Sequence, residues 1–198
     1  GSWKSTKYRG GKIRAKHFWD YPTAQPFRIA HRKGILTHPS WLIAHSTNFH
    51  GDPVRRGRWI REKLLAGRVP DVPITVDAQV PEHPDKTFRQ RLEEVTSKAE
   101  CVRCHDRMNP LGNPFEAFHD FGRYREREVL EHPDNLLARG NGKTSFDRYK
   151  TAPVKTSGRL DGTGEAKLDG PVDDPFELID RLARARRVRQ SILRYAFR

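Results

Sequence analysis

Cys101-Val102-Arg103-Cys104-His105 sets two thiols three residues apart, with an imidazole directly after the second. On a helical turn, positions i and i+3 share one side. Both sulfurs can then reach the two vinyl groups of a single porphyrin, and His105 can present a ring nitrogen to its iron as proximal ligand. This is the spacing of c-type haem attachment, and thioether bonds would keep haem c (iron) in place even in a small, loop-rich domain. The chain has 2 cysteines, and both fall in this pattern. Two other chemistries use similar spacing. A zinc finger needs two further ligands nearby, but His119 and His132 lie too far along and too far apart. A thioredoxin-like pair is expected after a buried strand, whereas Glu93-Glu94-Val95-Thr96-Ser97-Lys98 reads as charged helix.

The opposite face of the iron is less constrained. The sole methionine, Met108, follows His105 by three residues. It lies about 4.5 Å further along the same element at helical rise, so it cannot cap the far side of a ring that His105 supports, and it is expected to pack under the haem edge. A distal ligand must come from elsewhere. His45 is favoured because Leu42-Ile43-Ala44 would carry it inward; His50 comes second and His38 third. His17, His31, His83 and His132 sit in polar or Pro-rich surroundings and read as surface. Trp41, Trp59, Phe115, Phe118 and Phe121 can wall an apolar pocket or form ordinary core. Arg123 and Arg125 can pair with haem propionates or face solvent.

The elements that must position these groups follow from local signals. Thr37 or Ser40 can cap a short apolar helix around Trp41, with Pro39 tolerated in its first turn. Asp52-Pro53 opens a helix as N-cap and first residue; Val54, Trp59, Ile60, Leu64 and Leu65 supply its stripe, and Gly67 its C-cap. Residues 68–85 carry four prolines (Pro70, Pro73, Pro81, Pro84) and read as an extended surface connector. Thr87 to Lys98 reads as a helix with Phe88, Leu92 and Val95 on one face, running into the cysteine turn. Pro110-Leu111-Gly112-Asn113-Pro114 is a sharp break, and Phe115 to Phe121 a short helix. Residues 131–173 are polar, with a hairpin around Leu160-Asp161-Gly162-Thr163-Gly164 and Leu168-Asp169-Gly170. This loop has a faint likeness to a calcium loop but lacks the acidic spacing of an EF-hand, so a turn is expected. Asp174-Pro175 starts a last helix with Phe176, Ile179 and Leu182 inward. A final segment follows with Val188, Ile192, Leu193 and Tyr195.

The whole is 198 residues with 35% hydrophobic and 32% charged residues, 14 Pro and 15 Gly. That suits one domain with an extension, a small core and long connections. No run of apolar residues is long enough to span a membrane. Gly1-Ser2 reads as a cloning scar, so the lack of a signal pattern says nothing of location. Lys plus Arg number 38 against 25 Asp plus Glu, a net +13. Such a surface steers acidic partners. The basic residues are interleaved with acidic ones, as in Arg123-Tyr124-Arg125-Glu126-Arg127-Glu128, and form no nucleic-acid motif.

Several segments occur in a familiar order: Gly34-Ile35-Leu36-Thr37-His38-Pro39-Ser40-Trp41, Arg56-Gly57-Arg58-Trp59-Ile60-Arg61-Glu62, Cys101 to His105 with Met108-Asn109-Pro110-Leu111-Gly112, then Phe121-Gly122-Arg123-Tyr124-Arg125. Over residues 34–198 the chain resembles the cytochrome c-like domain of unknown function found in large secreted proteins of planctomycetes and their relatives. The resemblance implies haem attachment at Cys101 and Cys104 with His105 as ligand. It also implies a periplasmic or extracellular, multidomain setting connected with polysaccharide breakdown. Asn113-Pro114 and His119 depart from the usual Phe-Ala and Asn after Pro-Leu-Gly, which implies a reshaped loop over the haem edge.

The expected fold is therefore mainly α, a cytochrome c-like helical haem domain with long irregular loops and a small β-hairpin. Residues 1–33 read as an arm or the end of a preceding domain, 34–173 as the haem domain. Residues 174–198 read as C-terminal helices that start a following domain or pack on the haem domain. The expected function is electron transfer between an acidic redox partner, or neighbouring domains of the same polypeptide, and a respiratory carrier. Alternatives are an open-site haem enzyme or sensor, peroxidase-like, and a module binding anionic polysaccharide with structural haem.

Overall fold

The computed structural model describes residues 30–47, 50–70, 79–142 and 145–197. The N-terminal arm with His17, and the middle of the Pro-rich connector, lie outside the described residues.

Helices predominate. His38 caps α1 (Pro39–Ala44): its Nδ1 accepts from Ser40 N at 3.2 Å, and Pro39 fills the first position. The cap is thus His38 rather than Thr37 or Ser40. Helix α2 (Pro53–Trp59) opens as expected, with Asp52 Oδ1 accepting from Arg55 N at 2.9 Å. It then widens into a π turn over Ile60–Leu64. The chain reverses at Ala66, whose φ of 49° is left-handed, one residue before the expected C-cap Gly67. Gly67 is needed for space, since a Cβ there would stand 2.7 Å from Arg61 Cδ. Helix α3 (Phe88–Thr96) begins with a capping box between Thr87 and Gln90, and α4 (Ala99–His105) carries both cysteines. A four-residue turn, α5 (Asn109–Gly112), runs into a 3₁₀ turn over Asn113–Ala117. The helix expected over Phe115 to Phe121 is therefore earlier and tighter, because Phe118 leaves it to bridge Tyr124 in extended conformation.

The polar stretch after residue 126 holds six short strands in three antiparallel pairs among the described residues. They are β1 (Arg127–Val129) with β4 (Thr151–Pro153), β2 (Leu136–Ala138) with β3 (Arg148–Tyr149), and β5 (Gly158–Leu160) with β6 (Gly170–Val172). The third pair encloses the expected hairpin loop, with Gly162 and Gly164 at φ 84° and 78°. Its carboxylates are engaged within the fold: Asp161 pairs with Arg61, and Asp169 accepts from Thr163 N and Oγ1.

Asp174 caps α6 (Pro175–Arg184), accepting from Phe176 N and Glu177 N, both at 2.8 Å. Leu178 and Leu182 are buried, with Phe176 and Ile179 packed beside them. In α7 (Arg186–Ala196) only Val188 and Ser191 are buried. Ile192, Leu193 and Tyr195 face out, because α7 docks through one narrow edge on which Ser191 Oγ donates to Lys63 O of the π turn at 2.7 Å. Residues from Leu36 to Val188 form one apolar cluster.

Not every cation is at the surface. Arg56 is fully buried and donates to Phe115 O (2.8 Å), Phe118 O (3.1 Å) and Ser46 Oγ (3.0 Å). Burial lowers its guanidinium to about 10 despite nearby Glu116. Arg61 and Arg89 are also interior and donate to main-chain carbonyls. Each ties its helix to segments distant in the chain.

Candidate functional site

The site is built where α2, α3 and α4 enclose a cavity of ≈ 430 Å³. Cys101, Cys104 and His105 line it from α4, and Met108 from the turn that follows. Both cysteines are half-buried free thiols. Phe88, Leu92 and Val95, the face anticipated for α3, form a second wall. Val54 from α2, with Val69, Pro70 and Val80 from the ends of the Pro-rich connector, completes the apolar lining. At its described ends the connector thus contributes to the wall, with Val69 buried, while Pro81 to His83 lie at the surface as expected. Arg55, Arg58 and Asp52 supply charge from α2, and Glu100 from α4. Arg55 bonds Asp52 at 3.2 Å and Arg58 bonds Glu62 at 2.9 Å.

Two glycines set the position of this cavity. A Cβ on Gly57 would stand 1.9 Å from Met108 O, and one on Gly112 would stand 1.7 Å from Pro53 O. Backbones of α2 and α5 therefore touch, which no side chain would permit, and this contact seats the Met108–Asn109 segment against α2.

His105 is held by hydrogen bonds on its outer nitrogen. Its Nδ1 lies 3.0 Å from Asn109 Oδ1, Asn109 Nδ2 donates to Thr96 Oγ1 at 3.1 Å, and Thr96 Oγ1 donates to Leu92 O at 2.8 Å. A ligating imidazole is generally oriented in this way through its second nitrogen.

The candidate histidines separate clearly. His50 lines the cavity and stacks on Phe88, with ring centroids 4.6 Å apart and planes at 17°. Burial, aided by Arg91, lowers the pKa of its imidazole. His45 is outside the cavity: its Nδ1 is 2.8 Å from Trp41 O, and its ring packs against Trp41 and Trp59. The apolar Leu42 does turn inward, but to the main core, and half-buried His45 packs beside Trp41 of that same core. His38 is the exposed cap of that helix. His31 and His83 are exposed, and His132 half-buried.

The aromatic residues expected around the pocket pack elsewhere. Trp41 meets Trp59 and Phe115 edge-on at 5.5 and 5.3 Å. Phe118 meets Tyr124 and Phe176, and Phe121 is 70% exposed. They belong to the main core or the surface; of the described phenylalanines, it is Phe88 that reaches the cavity. Arg123 is exposed and Arg125 pairs with buried Glu116 at 3.2 Å. Neither lies at the cavity, where Arg55 and Arg58 stand instead. Arg55, Arg58, Asn109 and the glycine pair were not among the residues expected at the site, and Val54 was expected only in the stripe of α2. The first two turns of α2 carried the only signal, arginines recurring beside its apolar stripe.

Among the described residues, no three His, Cys, Asp or Glu side chains are grouped to hold a bare metal ion. Among the described residues, no helix is long and apolar enough to cross a membrane.

Residues 32–128 match the family model PSCyt3: Protein of unknown function (DUF1588). The matched segment runs from before α1 through β1's Glu128. It includes both cysteines, His105, the glycine pair and the cavity, and ends within β1, short of the other five strands and the last two helices. It is narrower than the resemblance drawn over 34–198, and the family carries no assigned activity. No curated protein and no solved structure matches the chain.

Proposed function

We propose that this chain is a c-type cytochrome domain, in which Cys101 and Cys104 carry one covalently attached haem and His105 ligates its iron. The observation that carries this reading is that both free thiols and the imidazole open into the same apolar cavity. Its volume falls in the range of cofactor sites. The donor set fits the group. The thiols lie on one helical side, and His105 Nδ1 is engaged with Asn109, which leaves Nε2 for a metal. When bound, the haem supplies a one-electron couple.

The protein's own residues then do the rest. Val54, Leu92, Val95 and Met108 exclude water and lower the local dielectric, which favours the less charged redox state. Arg55 and Arg58 supply cations for propionate carboxylates. His50, whose ring lines the same cavity and stacks on Phe88, is the distal candidate. The role proposed is electron transfer between an acidic redox partner, or neighbouring domains of the same polypeptide, and a respiratory carrier, in a periplasmic or extracellular setting.

An open-site haem enzyme or sensor is a second reading, and one feature favours it. His50 also lines a separate polar cavity of ≈ 320 Å³ with His83, His132, Glu128 and Arg91. That cavity offers a small polar molecule an approach to the same imidazole.

The test is a pyridine haemochrome spectrum of the chain produced with cytochrome c maturation machinery. A c-type spectrum lost in C101A/C104A supports the proposal; a colourless protein, or one holding zinc at that turn, defeats it. A low-spin six-coordinate ferric state favours the relay, and a high-spin state favours the open site.

A further inference from the structure

The hydrogen-bond chain behind His105 has a direction that can be read from its far end. Leu92 O is a carbonyl and can only accept, so Thr96 Oγ1, 2.8 Å away, donates its hydroxyl proton there. With that proton committed, Thr96 Oγ1 meets Asn109 as an acceptor, which requires the Asn109 amide nitrogen, at 3.1 Å. The amide oxygen is thereby turned toward His105 Nδ1 at 3.0 Å, and an amide oxygen only accepts. The proton in that contact must therefore sit on Nδ1. Thr96 and Asn109 are both buried, so water has little opportunity to substitute for either partner. Three elements converge on this relay: the last residue of α3, the first of α5 and the last of α4.

We propose that Asn109, oriented by Thr96, is the positioning residue of His105, committing its ring to the tautomer with Nδ1–H and a free lone pair on Nε2. The consequence for a metal rests on the haem reading above; the tautomer does not. A neutral amide accepts this proton without drawing it far from the ring. A carboxylate in the same place would draw it further, make the imidazole a stronger donor and favour the oxidised iron.

Nitrogen-resolved NMR of the histidine rings, on the full chain prepared without haem and above the imidazole titration range, tests the relay directly. In the wild type, His105 is expected to carry its proton on Nδ1. T96V, which preserves shape while removing the hydroxyl, releases the amide and yields a mixture of tautomers; N109L does the same, and N109D restores Nδ1–H. A wild-type proton on Nε2, or a tautomer unmoved by both T96V and N109L, overturns the proposal. If N109L does not fold, T96V decides. In the haem-loaded protein, N109D is expected to shift the ferric/ferrous equilibrium at least tenfold toward ferric, ~59 mV for one electron, and an unchanged potential overturns the tuning. A chain that never takes haem but shows the Nδ1–H tautomer defeats the haem reading alone.

Discussion

Gly57 and Gly112 lie with their backbones in contact: a Cβ built on Gly57 would come within 3.0 Å of Gly112 N, and closer still to Met108 O. This contact joins α2 to α5 and sets the width of the cavity between α2 and α4.

Alanine at Gly57 must therefore push the Met108–Asn109 segment away. Overpacking of a rigid backbone contact costs about 3 kcal/mol. For a chain of this size that is a fall in melting temperature of roughly 6–12 °C. Thermal unfolding of G57A and G112A checks this, and a melting point unchanged by both would show that the helices can separate freely.

His50 and His45 predict opposite spectra in a haem-loaded protein. H50A is expected to alter the ferric Soret band and spin state, because His50 borders the cavity. H45A is expected to leave both unchanged and to lose about 1 kcal/mol of stability through its packing against Trp41 and Trp59. The reverse pattern would return the distal role to α1.

Arg55 and Arg58, not Arg123, should set the charge at the iron. Removing both in R55A/R58A is expected to favour the oxidised state by roughly 1 kcal/mol, since the two are partly exposed and screened. R123A should leave the potential where it was. Potentiometry at low and high salt distinguishes the two variants.

Glu116 gives stability a pH dependence. Burial pushes its carboxyl up to about 7, against the attraction of Arg125 and Arg56. Between its ordinary 4.5 and about 7 the folded state holds a proton that the unfolded state has released. Its contribution is therefore complete below the lower value and is lost as pH rises through the upper one. Melting temperature should fall across this window in the wild type and less steeply in E116Q. Parallel profiles would show that Glu116 is ionised throughout.

The features legible along the chain are local. The cysteine turn, the caps at Asp52-Pro53 and Asp174-Pro175, the Phe88/Leu92/Val95 face and the hairpin loop depend on neighbours within a turn or two, so their signals are complete in short stretches of chain. Which groups meet was settled by the packing of distant segments, and the folded chain made that choice. It turned His50 rather than His45 to the cavity, sent Trp41, Phe115 and Phe118 to the main core, and buried Arg56 among carbonyls. It also placed Asn109 between His105 and Thr96. These outcomes depend on backbones from distant segments approaching at Gly57 and Gly112, and on polar groups that had to find partners once water was excluded. Neither condition has a periodicity that can be read along the chain.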